Sequence, residues 1–227
     1  MKRLDWDSDF FGFDVYEGVF KKGETLPFGM IYLYGKYDEL ESLKTDYYPD
    51  AYLENKVEFA KWIRRKEKAE HFDNIKPVES FSDKLFDLAK ISGQHSRFKC
   101  DNKLQPYFNR LYKLWVVNSI NKRIASTVLG YYDNDNLVGF ITLKLTGVEA
   151  KVGLFAVDSE FQGKGIGKKL LISAENWVSK NGGETMVIAT QGKNINACYF
   201  YKKNGYVLLT SVFLLQIINS SEIKVID

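Results

Sequence analysis

Cysteine is scarce in this chain of 227 residues. Cys100 and Cys198 are too few and too far apart to form a disulfide framework or a zinc site. Long apolar runs are also missing, since no stretch approaches the ~20 apolar residues of a membrane span. The start, Met1-Lys2-Arg3-Leu4-Asp5-Trp6-Asp7, lacks the apolar segment of a secretory signal. A cytoplasmic protein that avoids the membrane is expected. There is no strong excess of one charge: the net charge is +3 with acids and bases interspersed, which argues against a nucleic-acid-binding face. The one local excess, Lys61-Trp62-Ile63-Arg64-Arg65-Lys66-Glu67-Lys68, reads as a solvated face, with steering of an anionic substrate as the alternative. Long internal repeats and low-complexity tracts are absent too. With 45% hydrophobic residues the chain can bury a substantial core, as one large domain or two small ones.

The most informative stretch is 152–168. An apolar strand, Val152-Gly153-Leu154-Phe155-Ala156-Val157, runs through the acidic turn Asp158-Ser159-Glu160-Phe161 into Gln162-Gly163-Lys164-Gly165-Ile166-Gly167-Lys168. Ile166, Leu170, Leu171, Ala174, Trp177 and Val178 then recur at helical spacing. Glycines let a ligand approach the backbone, and the first amides of a helix point outward at the positive end of its dipole. This order suits a pyrophosphate. A dinucleotide fingerprint is excluded, because Lys168 or Leu170 stands where the third glycine belongs. A nucleotide P-loop is excluded by Gln162 and Lys169, which replace its first glycine and its hydroxyl residue.

What remains, Gln162-x-x-Gly165-x-Gly167 after a strand, resembles the coenzyme A pyrophosphate loop of the GCN5-related N-acetyltransferases. A second motif agrees in order and distance. After the strand Thr185-Met186-Val187-Ile188-Ala189-Thr190 comes Asn194-x-x-Ala197-x-x-x-Tyr201-x-x-x-Gly205-Tyr206, similar to the last helix of that superfamily. The resemblance implies acetyl-CoA as co-substrate, with no metal. It places the pantetheine arm and thioester carbonyl on the backbone of Phe155, Ala156 and Val157. It places the pyrophosphate on the amides of Gln162, Gly163, Lys164, Gly165, Ile166, Gly167 and Lys168, and adds Asn194 and Ala197 to the coenzyme site. Tyr201 becomes the catalytic residue, a hydrogen-bond donor to the departing sulfur.

The expected fold is α/β (α+β): a mixed, mostly antiparallel acetyltransferase sheet flanked by helices in 75–227, with a smaller N-terminal α/β unit, 1–74, packed against it. That unit reads as a reduced acetyltransferase-like lobe, with strands at 13–20, 30–34 and 51–62 and a short helix at 38–43. From residue 75 the reading is a strand at 76–81 and a helix from Asp83 capped by Ser82. A second helix carries Phe108, Leu111, Tyr112, Trp115, Val116 and Ile120. Strands at 125–132 and 137–145 form a hairpin through Asp133-Asn134-Asp135-Asn136. The chain closes with two strands, 206–209 and 212–217.

A narrower likeness, to the TDP-fucosamine acetyltransferases, rests on 4–12, on Ser96-Arg97-Phe98 and on Ala189-Thr190-Gln191. It implies acetylation of the 4-amino group of a TDP-4-amino-4,6-dideoxyhexose, with Ser96, Arg97 and Phe98 lining the acceptor pocket. The partner is then a small-molecule amine, and the two lobes pair within one chain or across a homodimer. Glu149, Asp5, Asp7, Asp9 and His95 are candidate bases, each with an ordinary surface role as its alternative. Competing readings are acetylation of a protein N-terminus, a polyamine or an aminoglycoside, and a non-catalytic acyl-CoA-binding module.

Overall fold

The computed structural model describes residues 1–64 and 70–219. In chain order the elements are β1 Lys2–Arg3, α1 Asp5–Phe11, β2 Val15–Val19, β3 Gly29–Gly35, α2 Tyr37–Tyr47, β4 Tyr52–Trp62, β5 Ile75–Pro77 and α3 Asp83–Ser92. Then follow α4 Arg97–Cys100, α5 Phe108–Ile120, β6 Thr127–Asp133, β7 Asn136–Thr146, β8 Glu149–Val157, α6 Ile166–Lys180, β9 Thr185–Gln191, α7 Ile195–Lys203 and β10 Val207–Asn219. Two compact units emerge: Met1–Val57 with Gln191–Lys193 and Thr210–Asp227, and Glu58–Thr190 with Asn194–Leu209. Both β4 and β10 contribute residues to each unit.

In the first unit the strand order is β1-β2-β3-β10-β4. β2 runs parallel to β3, and β10 runs antiparallel to it, from Phe213 opposite Gly35 to Asn219 opposite Gly29. Ile31, Leu33, Leu215 and Ile217 share one face by strand alternation and meet Leu40 and Leu43 of α2. The aromatic, acidic start of the chain folds as α1. Gly12 ends it in a left-handed conformation, and the Ser8 hydroxyl takes the amide of Val15.

The second unit has the order β4-β9-β8-β7-β6-β5, in which β5 to β8 are antiparallel and β8 and β9 parallel. The Ser82 hydroxyl caps α3 by accepting the Leu85 amide at 3.1 Å. Asn134 and Asp135, both at positive φ, make the two-residue turn between β6 and β7. α6 buries Ile166, Leu170, Leu171, Ala174 and Val178, and each fully buried Leu or Ile contributes ~1.5–3 kcal/mol.

The structure corrects the end of the chain. Residues 207–219 form the single strand β10 rather than two strands, because Thr210-Ser211 has neither the glycine nor the proline that would turn the backbone. β5 is Ile75–Pro77 rather than the strand expected at 76–81, and just past it the Val78 amide donates to the Val128 carbonyl at 2.9 Å. Among the described residues no helix is long and apolar enough to cross a membrane.

Candidate active site

β8 carries the centre of the site. It pairs with β7 out to Val157, opposite Gly139, but with β9 only from Glu149 to Val152. Beyond Val152 the two parallel strands part, and among the described residues no strand lies beside the β9-facing backbone groups, those of Phe155 and Val157, while Ala156 between them is turned to Phe140 of β7. The parting coincides with a bulge. Thr142 of β7 stands opposite both Gly153 and Leu154, and its hydroxyl accepts the buried Leu154 amide at 2.8 Å. Only glycine fits at 153, because a Cβ there would lie 2.8 Å from the Thr142 oxygen.

The strand ends in a fixed loop. Asp158 caps the short helical turn Ser159–Phe161 through the Glu160 amide and pairs with Lys84 of α3. The Lys84 hydrogen bond first, and that amide second, hold the Asp158 carboxyl below the ordinary carboxylate range. The Gln162 side chain donates back to the Val157 carbonyl at 3.0 Å. Gly163 and Gly165 both adopt positive φ, 76° and 78°, with no atom within 4 Å of where a Cβ would project. The first intrahelical bond of α6 runs from the Lys169 amide to the Gly165 carbonyl, so the amides of Ile166, Gly167 and Lys168 lie ahead of it. The first turn holds no acid, while Lys164 and Lys168 supply positive charge. Such a cradle suits a diphosphate.

α7 closes on this cradle. Asn194 caps it by accepting the Ala197 amide at 3.2 Å. Phe200 meets Phe155 at 6.0 Å between ring centroids and lies against the open side of Gly167. Tyr201 is buried beside Phe200, Phe59 and Tyr206. Burial first, and the neighbouring Cys198 thiol second, push its hydroxyl well above the ordinary tyrosine range. Burial also raises the Cys198 thiol above its ordinary range.

The acceptor candidates fall nearby in the same unit. The Ser96 hydroxyl donates to the Gly93 carbonyl at 2.7 Å, and the Arg97 guanidinium lies over the Phe98 ring. Phe98 is buried edge-on to Trp115. Trp115 and Ser119 of α5 form one wall of a cleft of about 260 Å³, with Thr142, Lys144, Lys151 and Gly153 on the strands opposite. The cleft therefore reaches the bulge in β8. Lys144 and Lys151 are direct cross-strand partners, and Lys151 also lies 3.5 Å from Glu149.

The candidate bases are more dispersed. Glu149 is engaged by Lys151, Asp5 by Arg3, and His95 is exposed. In the basic run, Lys61 turns inward to Glu175, whereas Arg65 to Lys68 lie outside the described residues. Sequence reasoning did not find Lys84 with Asp158, the cross-strand lysines, or the group around Glu175. These pairs join elements far apart in the chain, and no local pattern marks them.

A mostly antiparallel sheet with helices packed on it, and two parallel strands parting beside a glycine cradle, define the fold class of an acyltransferase. The chain belongs to the acetyltransferase (GNAT) family, which matches residues 92–206. It is similar to streptothricin acetyltransferase A of Bacillus subtilis, 32% identical over 79 residues, 34% of this chain and 46% of that protein. It is similar to the dTDP-fucosamine acetyltransferase of Escherichia coli, 28% over 131 residues, 53% of this chain and 52% of that protein. A third relative is the spermidine N(1)-acetyltransferase of Thermoplasma acidophilum, 33% over 78 residues, 34% of this chain and 48% of that protein. The chain thus spans about half the length of the curated relatives it matches. The fold is similar to that of a GCN5-related N-acetyltransferase from Sphaerobacter thermophilus, with a TM-score of 0.54 at 12% identity, covering 88% of this chain and 62% of that one.

Proposed function

We propose that this chain is an acetyl-CoA-dependent N-acetyltransferase acting on the primary amine of a nucleotide sugar, the 4-amino group of a TDP-4-amino-4,6-dideoxyhexose. Support for the coenzyme comes from the parted strands and the glycine cradle, which offer a backbone edge past the end of the β8–β9 pairing that leads to the first amides of α6. Bound there, acetyl-CoA supplies the acetyl group and leaves as the thiol. The backbone of Phe155, Ala156 and Val157 holds the pantetheine arm and polarises the carbonyl. Amides from Gln162 to Lys168 hold the pyrophosphate, with Lys164 and Lys168 adding charge, and Asn194 and Ala197 start the helix that closes over it. Tyr201, kept protonated by burial, donates a hydrogen bond to the developing thiolate.

The observation that carries the acceptor assignment is the cleft at the bulge. Lys144 and Lys151 lie directly opposite one another, and Glu149 engages only Lys151, so the pair keeps a net positive charge that favours an anionic acceptor over a polyamine. Trp115 offers an aromatic wall beside them, as a nucleotide requires. Phe98 packs edge-on against Trp115, and Ser96 and Arg97 beside it complete the acceptor side. We assign the coenzyme-binding residues to 75–227, with 1–74 as a smaller α/β unit, and place the enzyme in the cytoplasm, alone or as a homodimer.

The test is thiol release from acetyl-CoA with TDP-4-amino-4,6-dideoxygalactose, its gluco epimer, spermidine, an aminoglycoside and a peptide amine as separate acceptors. Selective turnover of a nucleotide sugar is expected. Turnover of only the cationic amines would discard the acceptor assignment, and saturable acetyl-CoA binding without any release would discard catalysis.

A further inference from the structure

One buried polar group takes no part in the chemistry above. Glu175 of α6 is 7% exposed, and its Oε1 accepts two hydrogen bonds, from Lys61 Nζ at 2.7 Å and from the Tyr206 hydroxyl at 3.0 Å. Lys61, near the end of β4, donates a second bond to the Asn204 carbonyl at 3.0 Å. Asn204 is the cap residue that ends α7, and its side chain donates to the Phe200 carbonyl at 2.8 Å. The Tyr206 amide donates to the Tyr201 carbonyl at 3.1 Å. The end of α7, from Tyr201 to Tyr206, is thereby tied at two points, by Tyr206 to Glu175 of α6 and by the Asn204 carbonyl to Lys61 of β4.

A buried ion pair is a poor source of stability, since desolvation consumes most of its attraction, and its usual advantage is to select one arrangement among several. Here the arrangement selected is the depth and rotation of α7. Ring packing alone would let Tyr201 slide against Phe59 and Phe200, because aromatic contacts tolerate offsets. We infer that Glu175, with Lys61 and Tyr206, is a positioning group that fixes the Tyr201 hydroxyl relative to the parted strands, an inference that rests on the donor role proposed for Tyr201.

The test uses the full chain. Lys61→Met alone would leave the buried Glu175 carboxylate without its cation and invites misfolding, so the informative variant is Lys61→Met/Glu175→Leu/Tyr206→Phe, which removes all three polar groups at similar volume. This variant is to be compared with Tyr201→Phe and with the two combined, measuring kcat and, separately, the equilibrium affinity for acetyl-CoA. The triple variant is expected to melt cooperatively, to bind acetyl-CoA within about twofold of wild type, and to lose about tenfold or more in kcat. In the Tyr201→Phe background the same three changes are expected to cost nothing further, because the group acts through that hydroxyl. Wild-type kcat in the triple variant, or losses that multiply independently of Tyr201, would overturn the inference. Wild-type kcat in Tyr201→Phe itself would overturn the donor role on which it rests.

Discussion

Tyr201 shows what a single residue contributes here. In its proposed role the hydroxyl is a weaker acid than the departing coenzyme thiol, since an ordinary tyrosine has a pKa of about 10 and a thiol about 8.5, and burial widens the gap. Full proton transfer would therefore be uphill, and the role proposed for the hydroxyl is to donate a hydrogen bond as charge develops on sulfur. Tyr201→Phe keeps the ring contacts with Phe59, Phe200 and Tyr206 and removes only that donor. It is expected to lower kcat by about 10²-fold with little change in the acetyl-CoA KM. Turnover equal to wild type in a steady-state assay would rule the role out. Tyr201 was legible as a candidate because its spacing from Asn194 and Gly205 is local. Its protonation state was not, because the residues that bury it include Phe59, far away in sequence.

At the scale of an element, α6 and its loop were almost fully readable. Strand, glycines and apolar spacing follow one another within 152–178, and each property depends on neighbours a few residues away. The positive φ of Gly165 yields a prediction with its own control. Gly165→Ala and Gly182→Ala both place a side chain at positive φ in open space, at opposite ends of α6. Each is expected to lose about 1–2 kcal/mol of stability in thermal or denaturant unfolding. Only Gly165→Ala is expected to raise the acetyl-CoA KM, and equal KM values in the two variants would remove the loop from the coenzyme site. The parting of β8 from β9 was implied only by the family resemblance and not by local patterning, because it depends on where Thr142 inserts its hydroxyl opposite Gly153.

For the whole molecule, the division of the chain matters most. A boundary between 74 and 75 follows the order of elements, which matches the acetyltransferase core from Ile75, but the compact unit that holds the candidate site begins at Glu58. A fragment of residues 75–227 lacks Phe59, which packs on Tyr201, and Lys61, which neutralises buried Glu175. It is expected to aggregate or to melt without a cooperative transition, while the full chain melts cooperatively. A fragment that matched the full chain by calorimetry and light scattering would show that β4 is dispensable to this unit.

The amino-acid order by itself determined the glycine cradle, the helix that leaves it, the Asn194–Tyr206 motif and hence the family, because each is written in residues close enough to share a turn, a cap or a helix face. The tertiary structure alone decided which lysines face each other across β7 and β8, that Glu175 rather than solvent receives Lys61, and that residues 207–219 run as one strand. Those outcomes are pairings between distant segments, set by register and burial, and short-range patterning carries no information about either.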